Sequence, residues 1–216
     1  MDLTAYKSII WDWNGTLLDD RDICISSMNL MLQKRQMPSL SLEKYLDVFT
    51  FPVQDYYEAV GFDFSKESWD IAAHEFIYLY LEKINICRLT NGAVETLTAF
   101  KNKGLSQAIV SAMQHDALVK SVDNLGISGF FDSVGGISDH YAAGKIENAI
   151  SYLEKSAVNP EQALLIGDTL HDAEVAHEIG CQCVLIAAGH QSHKRLKASG
   201  LPVFDSLTEL LSFLKM

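Results

Sequence analysis

Asp12 is the residue around which chemistry could gather. It ends the apolar run Ile9-Ile10-Trp11 and is followed at once by Trp13-Asn14-Gly15-Thr16. That is the pattern of a buried strand breaking into a glycine-containing loop. In an open α/β sheet, ligands bind in the crevice outside the carboxyl ends of the strands. The theme recurs in Ala163-Leu164-Leu165-Ile166-Gly167-Asp168, with Asp172 shortly after. Ser111 closes the short apolar strand that begins at Ser106, and Lys145 stands just before a helical stretch. A carboxylate in such a place can attack as an oxygen nucleophile, and carboxylates brought together can hold a hard divalent cation. Each residue also has a plainer reading. Asp12, Ser111 or Asp168 could cap a helix, Lys145 could be a solvated charge, and Asp172 could complement a helix dipole. Order and spacing weigh against those readings.

The elements that must position these residues follow from periodicity. Lys7 to Asp12 is the first strand. From Asp19 to about Arg88 apolar residues recur at three and four (Ile23, Met28, Met31, Leu32; Tyr45, Leu46, Phe49; Trp69, Ile71, Ala72, Phe76, Leu79, Tyr80), which predicts amphipathic helices. Pro38, Pro52 and Gly61 divide the region into about four helices. Strands and helices then alternate. A helix runs from Asn91-Gly92 to Lys103, a strand from Ser106 to Ser111 and a helix from His115 to Leu125. A strand over Phe130 to Val134 and a helix over Lys145 to Leu153 follow. After Ala163–Asp168 come a helix from His171 to Ile179, closed by Gly180, and a strand from Cys183 to Ala187. Ser206-Leu207-Thr208-Glu209 opens a last helix whose Leu207, Leu210, Leu211 and Phe213 are expected to face inward. The alternation predicts an α/β fold, a doubly wound parallel sheet with an all-helical insert.

Ile9 to Leu18 resembles motif I (hhhhDxDGTL, h apolar) of the haloacid dehalogenase-like hydrolase superfamily, and Gly167-Asp168-Thr169-Leu170-His171-Asp172 resembles its motif IV, GDxxxD. Ser111 after Ile109-Val110 and Lys145 stand where motifs II and III would be. The resemblance spans nearly the whole chain. It implies a Rossmann-like core over residues 1–17 and 89–216 and a C1-type helical cap over 18–88, in the manner of the phosphoglycolate phosphatase-like group. It further implies a phosphatase that forms an aspartyl-phosphate on Asp12. Mg²⁺ would be held by the Asp12 side chain, the Asn14 backbone carbonyl and Asp168, with Asp172 supporting through water. Lys145 would add positive charge. Ser111 and the backbone N–H groups of the Trp13-Asn14-Gly15 loop, with Thr16 beside them, would bind the phosphate. One position departs: the second Asp of motif I is Asn14. An amide does not titrate usefully and cannot serve as the general acid and base expected there. Three explanations stay open: a substrate with a good leaving group, a substitute proton source (His171 first, then Asp19 or Asp20), or a catalytically weak binding or regulatory protein. A dehalogenase-like hydrolase also lacks the second Asp but does not require the metal site.

Composition narrows the partners. A net charge of −11 disfavours nucleic acid and anionic membrane surfaces but does not exclude a small anionic ligand, and the resemblance implies a small phosphorylated metabolite. No run of about 18 apolar residues is present, and the first residues lack the form of a secretory signal, which predicts a cytoplasmic protein. Cys24, Cys87, Cys181 and Cys183 lack zinc-type spacing and read as reduced thiols. His190 and His193 follow the last strand and could contact substrate or loop. Arg21, Lys34, Arg35, Lys44 and Lys66 could include a substrate-selecting cation within the cap. An exposed apolar cap face could support a homodimer.

Overall fold

Ser8–Trp11 (β1) is buried at every position, as expected of a central strand covered on both faces. The computed structural model describes residues 3–137 and 144–215, so Met1 and Asp2 lie outside it. β1 leads through the two-residue strand β2 (Leu18–Asp19) into helices α1 (Arg21–Lys34), α2 (Leu42–Val48), α3 (Val53–Ala59) and α4 (Trp69–Leu81). The chain returns through β3 (Arg88–Leu89), which pairs antiparallel with β2. Then follow α5 (Ala93–Asn102), β4 (Ser106–Gln114), α6 (His115–Asn124), β5 (Ser133–Ile137) and α7 (Gly144–Ser156). The chain ends with β6 (Ala163–Gly167), α8 (Leu170–Ile179), β7 (Gln182–Ile186), α9 (His193–Lys197), β8 (Val203–Phe204) and α10 (Leu207–Phe213). The main sheet has six strands in the order β5-β4-β1-β6-β7-β8. Its pairings are all parallel.

The doubly wound arrangement follows from side-chain alternation. Ile9, Trp11, Ile109, Leu164 and Ile166 point to one face, with Leu97 and Phe100 of α5, Leu118 and Val122 of α6, and Leu207 and Leu210 of α10. Ile10, Ala108, Val110 and Leu165 point to the other, with Ala149 and Leu153 of α7, Val175 and Ile179 of α8, and Leu196 of α9. The chain first extends the sheet outward through β4 and β5, then returns to the opposite side of β1 with β6. The switch point therefore lies between β1 and β6, whose register sets Trp11 beside Ile166.

The structure corrects several boundaries. β4 continues past Ser111 to Gln114, with its pairing to β5 shifting register between Val110 and Gln114. Ser128–Phe130 is a 3-10 turn, and the strand expected at Phe130–Val134 lies at Ser133–Ile137. Gly135 and Gly136 obscured it, because glycine has little strand preference of its own. A Cβ at Gly136 would lie 2.6 Å from the Met113 carbonyl and 2.7 Å from His115 Cα, so close backbone approach requires glycine there. β8 adds an edge strand beyond the one expected to be last. In α10, Leu207 and Leu210 are buried, but Leu211 is half-buried and Phe213 is 54% exposed. Among the described residues no helix is long and apolar enough to cross a membrane.

Candidate active site

Asp12 stands immediately beyond β1, and its N–H donates to the Ile166 carbonyl at 2.9 Å, which extends the β1–β6 ladder to the carboxylate. Asp168 stands just as close to the end of β6. Asp12, Asp168 and Asp172 are all buried, with a carboxylate oxygen of each within 4.8 Å of the others. Lys145, near the start of α7, is 4% exposed at its side chain and donates to Asp12 Oδ1 at 2.5 Å and Asp172 Oδ1 at 2.6 Å. The other oxygen of Asp172 accepts from the Asp168 N–H at 3.2 Å, the Thr169 N–H at 3.0 Å and the Thr169 hydroxyl at 2.7 Å. Asp172 thus closes the capping box of α8 while holding Lys145. Thr16 donates its buried hydroxyl to Asp168 Oδ1 at 3.1 Å, and the same hydroxyl lies 3.4 Å from Asp12 Oδ2.

The charges do not balance within the cluster. Three carboxylates face one ammonium. Burial pushes Asp12 above the usual carboxylate range despite the pull of Lys145, and burial, with Asp12 and Asp172 nearby, pushes Asp168 up despite the pull of His190. Lys145 and Thr169 overcome burial at Asp172 and hold it low. Oxygen donors short of positive charge fit a hard divalent cation such as Mg²⁺. The space is kept by glycine: a Cβ at Gly189 would stand 2.0 Å from Asp168 Oδ2, and one at Gly15 would stand 2.4 Å from it.

Asn14 lies beside this cluster. Its amide donates to Asp20 Oδ2 at 2.8 Å and to the Tyr80 hydroxyl at 2.7 Å, and its carbonyl oxygen lies 3.4 Å from the Ser111 hydroxyl. Tyr80 also donates to Asp20 Oδ2 at 2.7 Å. Asp20 Oδ1 accepts from the Gly15 N–H at 2.9 Å and lies 3.2 Å from His190 Nε2. His190 Nδ1 meets the Tyr45 hydroxyl at 2.7 Å, and its backbone N–H donates to Asp168 Oδ2 at 2.6 Å. Burial lowers His190, but Asp20 outweighs it and raises the imidazole to about 9, while His190 keeps Asp20 low against burial.

Ser111 and Lys145 therefore come together with Asp12, Asn14, Asp168 and Asp172. Gly15 does so differently: its N–H is engaged by Asp20 and the Leu18 carbonyl, not left for a phosphate oxygen. Thr16 directs its hydroxyl at the carboxylates. Trp13 is fully buried and its carbonyl closes the loop by accepting from Thr16, Leu17 and Leu18 N–H groups. His171, the first candidate for a substitute proton source, is not beside Asn14. It stacks on Phe51 at 4.6 Å and pairs with Glu174 at 3.2 Å, because its place on α8 turns it toward α3 and its leading loop. Asp19 is exposed on β2, whereas the neighbouring Asp20 is buried in the site. His190 belongs there and His193 pairs with Asp205 outside it. Of the cap cations, Lys34 and Arg35 pair with Glu75, Arg35 with Glu67, and Lys66 with Asp63, all within the helical cap. Arg21 reaches the core, donating to the Ala188 carbonyl at 3.1 Å. Tyr45 and Tyr80 escaped the sequence reading because each sits in an apolar helical stripe; only their hydroxyls distinguish them.

Residues 9–186 match the family model described as haloacid dehalogenase-like hydrolase. The chain belongs to that family. This haloacid dehalogenase-like hydrolase is 26% identical to a phosphoglycolate phosphatase from Haemophilus influenzae over 98% of this chain and 99% of the relative. It is 28% identical to a phosphoglycolate phosphatase from Aquifex aeolicus over 85% of this chain and 86% of that one. Its fold superposes on a haloacid dehalogenase-like family hydrolase from Streptococcus pneumoniae with a TM-score of 0.83 at 22% identity, covering 97% and 99% of the two chains. The cap and the six-stranded core are thus the hydrolase fold.

Proposed function

We propose that this hydrolase is a cytoplasmic, Mg²⁺-dependent phosphatase of small phosphomonoesters, similar to the phosphoglycolate phosphatases it resembles. The observation that carries the reading is the buried set of Asp12, Asp168 and Asp172 at the switch point of the sheet, with Lys145 bridging Asp12 and Asp172 and the Thr16 hydroxyl donating to Asp168. Asp12 is the nucleophile: a carboxylate oxygen attacks phosphorus in line, the P–O bond to the leaving group breaks, and an aspartyl-phosphate results that water then hydrolyses. Lys145 places positive charge against Asp12 and the incoming phosphoryl oxygens. Ser111 and the N–H groups of Trp13 and Asn14 orient the phosphate. Asp12, Asp168 and the Asn14 backbone carbonyl would hold the Mg²⁺, with Asp172 behind them, and the ion when bound neutralises phosphate charge.

Asn14 shapes the substrate preference. It cannot protonate a departing alkoxide, so the rate should fall steeply as the leaving group becomes more basic. The test measures phosphate release from aryl and alkyl phosphates with and without Mg²⁺, using wild type, Asp12→Asn and Asn14→Asp. The expected result is metal-dependent turnover that favours aryl substrates and is lost in Asp12→Asn. The same amide supports a second reading, a binding or regulatory protein on the hydrolase fold. Turnover confined to Asn14→Asp would favour it and overturn the phosphatase.

A further inference from the structure

Beside the carboxylate cluster lies a second set of donors of a different chemical type. Asp20, Cys24 and His190 are all buried and offer one oxygen, one sulfur and one nitrogen within 4.8 Å of one another. His190 Nε2 is 3.2 Å from Asp20 Oδ1, and Cys24 Sγ is 3.6 Å from Asp20 Oδ2. Ligand atoms around a tetrahedral zinc ion, at their usual bond lengths, stand roughly 3.3–3.6 Å apart. We infer that Asp20, Cys24 and His190 form a transition-metal site, selective for Zn²⁺ or a similar borderline ion over Mg²⁺, that bridges cap and core. The inference does not depend on the phosphatase reading.

Donor chemistry separates this site from its neighbour. Thiolate and imidazole favour zinc-like ions, whereas an all-oxygen cluster suits Mg²⁺. The surroundings suit a ligated histidine as well. With Nε2 on the metal, Nδ1–H donates to the Tyr45 hydroxyl now 2.7 Å away, the kind of outer contact that fixes a ligand's tautomer and orientation. The Asp20 carboxylate is fixed in orientation by the Gly15 N–H, which donates to Oδ1, and by the Asn14 amide and Tyr80 hydroxyl, which donate to Oδ2. Binding exchanges charge for charge: the imidazolium of His190 and the thiol of Cys24 each release a proton to solvent as the divalent ion enters. No new net charge is buried.

Placement determines the consequence. Asp20 stands at the position preceding α1 and Cys24 lies in the first turn of that helix, at the entry to the cap, while His190 is on the core loop after β7. A metal held by all three staples the two parts in the closed arrangement.

The probe is Co²⁺ titrated into the full chain in excess Mg²⁺, which keeps the all-oxygen site filled. Wild type is expected to show a thiolate-to-cobalt charge-transfer band with tetrahedral ligand-field intensity. The band should vanish in Cys24→Ser and persist in Asp12→Asn. Tyr45→Phe should weaken binding about tenfold or more by removing the outer contact. Zn²⁺ should displace the Co²⁺ and raise the melting temperature of wild type but not of Cys24→Ser. A wild-type spectrum without the charge-transfer band overturns the site without need of any variant. So does a band that survives Cys24→Ser, or Co²⁺ binding abolished by Asp12→Asn alone.

Discussion

Lys145 and Asn14 show how single side chains hold this site. The ammonium of Lys145 is buried between Asp12 and Asp172, which raise its affinity for a proton against the effect of burial. Removing it leaves carboxylates facing one another without compensation. Lys145→Met is therefore expected to lose about 3–5 kcal/mol of stability in metal-free buffer. Added Mg²⁺ should recover part of that loss, because the ion binds only the folded chain. Urea denaturation with and without Mg²⁺ checks both. Asn14 donates to Asp20 and Tyr80, so Asn14→Asp sets a carboxylate where a donor stood 2.8 Å from another carboxylate. At pH 8 it should cost about 1–3 kcal/mol, measured in the same way. An unchanged midpoint would mean that the Asn14–Asp20 contact contributes nothing to the fold.

At the scale of elements, α1 and α4 are joined by charge as well as by packing. Arg35 donates to Glu67 at 2.7 Å and to Glu75 at 2.8 Å, and Lys34 meets Glu75 at 2.7 Å. Lys34 and Arg35 overcome burial at Glu75 and lower its pKa. A lowered folded-state pKa means that the pairing stabilises above the unfolded carboxylate value and is lost as pH falls through the folded one. Glu75→Gln should thus melt below wild type at pH 7, by no more than about 1 kcal/mol because the network is partly solvated. The gap should close as the pH falls below about 4, the ordinary carboxylate range. Melting curves across pH provide the check, and a gap that widened in acid would refute the assignment. The loop after β7 obeys a steric rule instead. Gly189→Ala would drive a methyl group into Asp168 and should abolish metal-dependent activity, measured as phosphate release, while leaving Asp12 and Lys145 intact.

Across the whole molecule, the loop between β7 and α9, together with α9 itself, clasps the cap. Arg195 donates to the carbonyls of Leu46 and Phe49, at 3.4 and 2.6 Å. Gln191 donates to the Phe49 carbonyl at 3.0 Å, and the Ser192 N–H donates to the Leu46 carbonyl at 3.3 Å. Together these satisfy the end of α2, where helix carbonyls lack internal partners. Arg195→Ala is expected to raise amide hydrogen exchange in residues 42–60 while the β1 amides remain protected, since local opening draws on the contacts it breaks. Unchanged exchange in that segment would show that the clasp does not govern cap opening.

Much of this architecture was legible before folding. The apolar runs ending on Asp12 and Asp168, the helical periodicity between Asp19 and Arg88, and the later alternation marked the α/β core and its inserted cap. These signals are local: burial on both faces gives continuous apolar runs, and burial on one helix face gives a 3.6-residue period. β5 was placed three residues too early because its glycines answer to backbone approach from Met113 and His115, and β2, β3 and β8 are too short to carry a period. Within the site, Asp12, Ser111, Lys145, Asp168 and Asp172 were legible because strand ends converge on one edge of a parallel sheet. His171 was favoured over Asp20, and Tyr45 and Tyr80 passed as core residues. No periodicity encodes which hydroxyl or carboxylate on a cap helix meets a loop of the core. Only the tertiary structure could decide that Asn14 stands opposite Asp20 and that Asp20 stands opposite His190, because those contacts join segments far apart in the chain and depend on how the cap seats on the sheet.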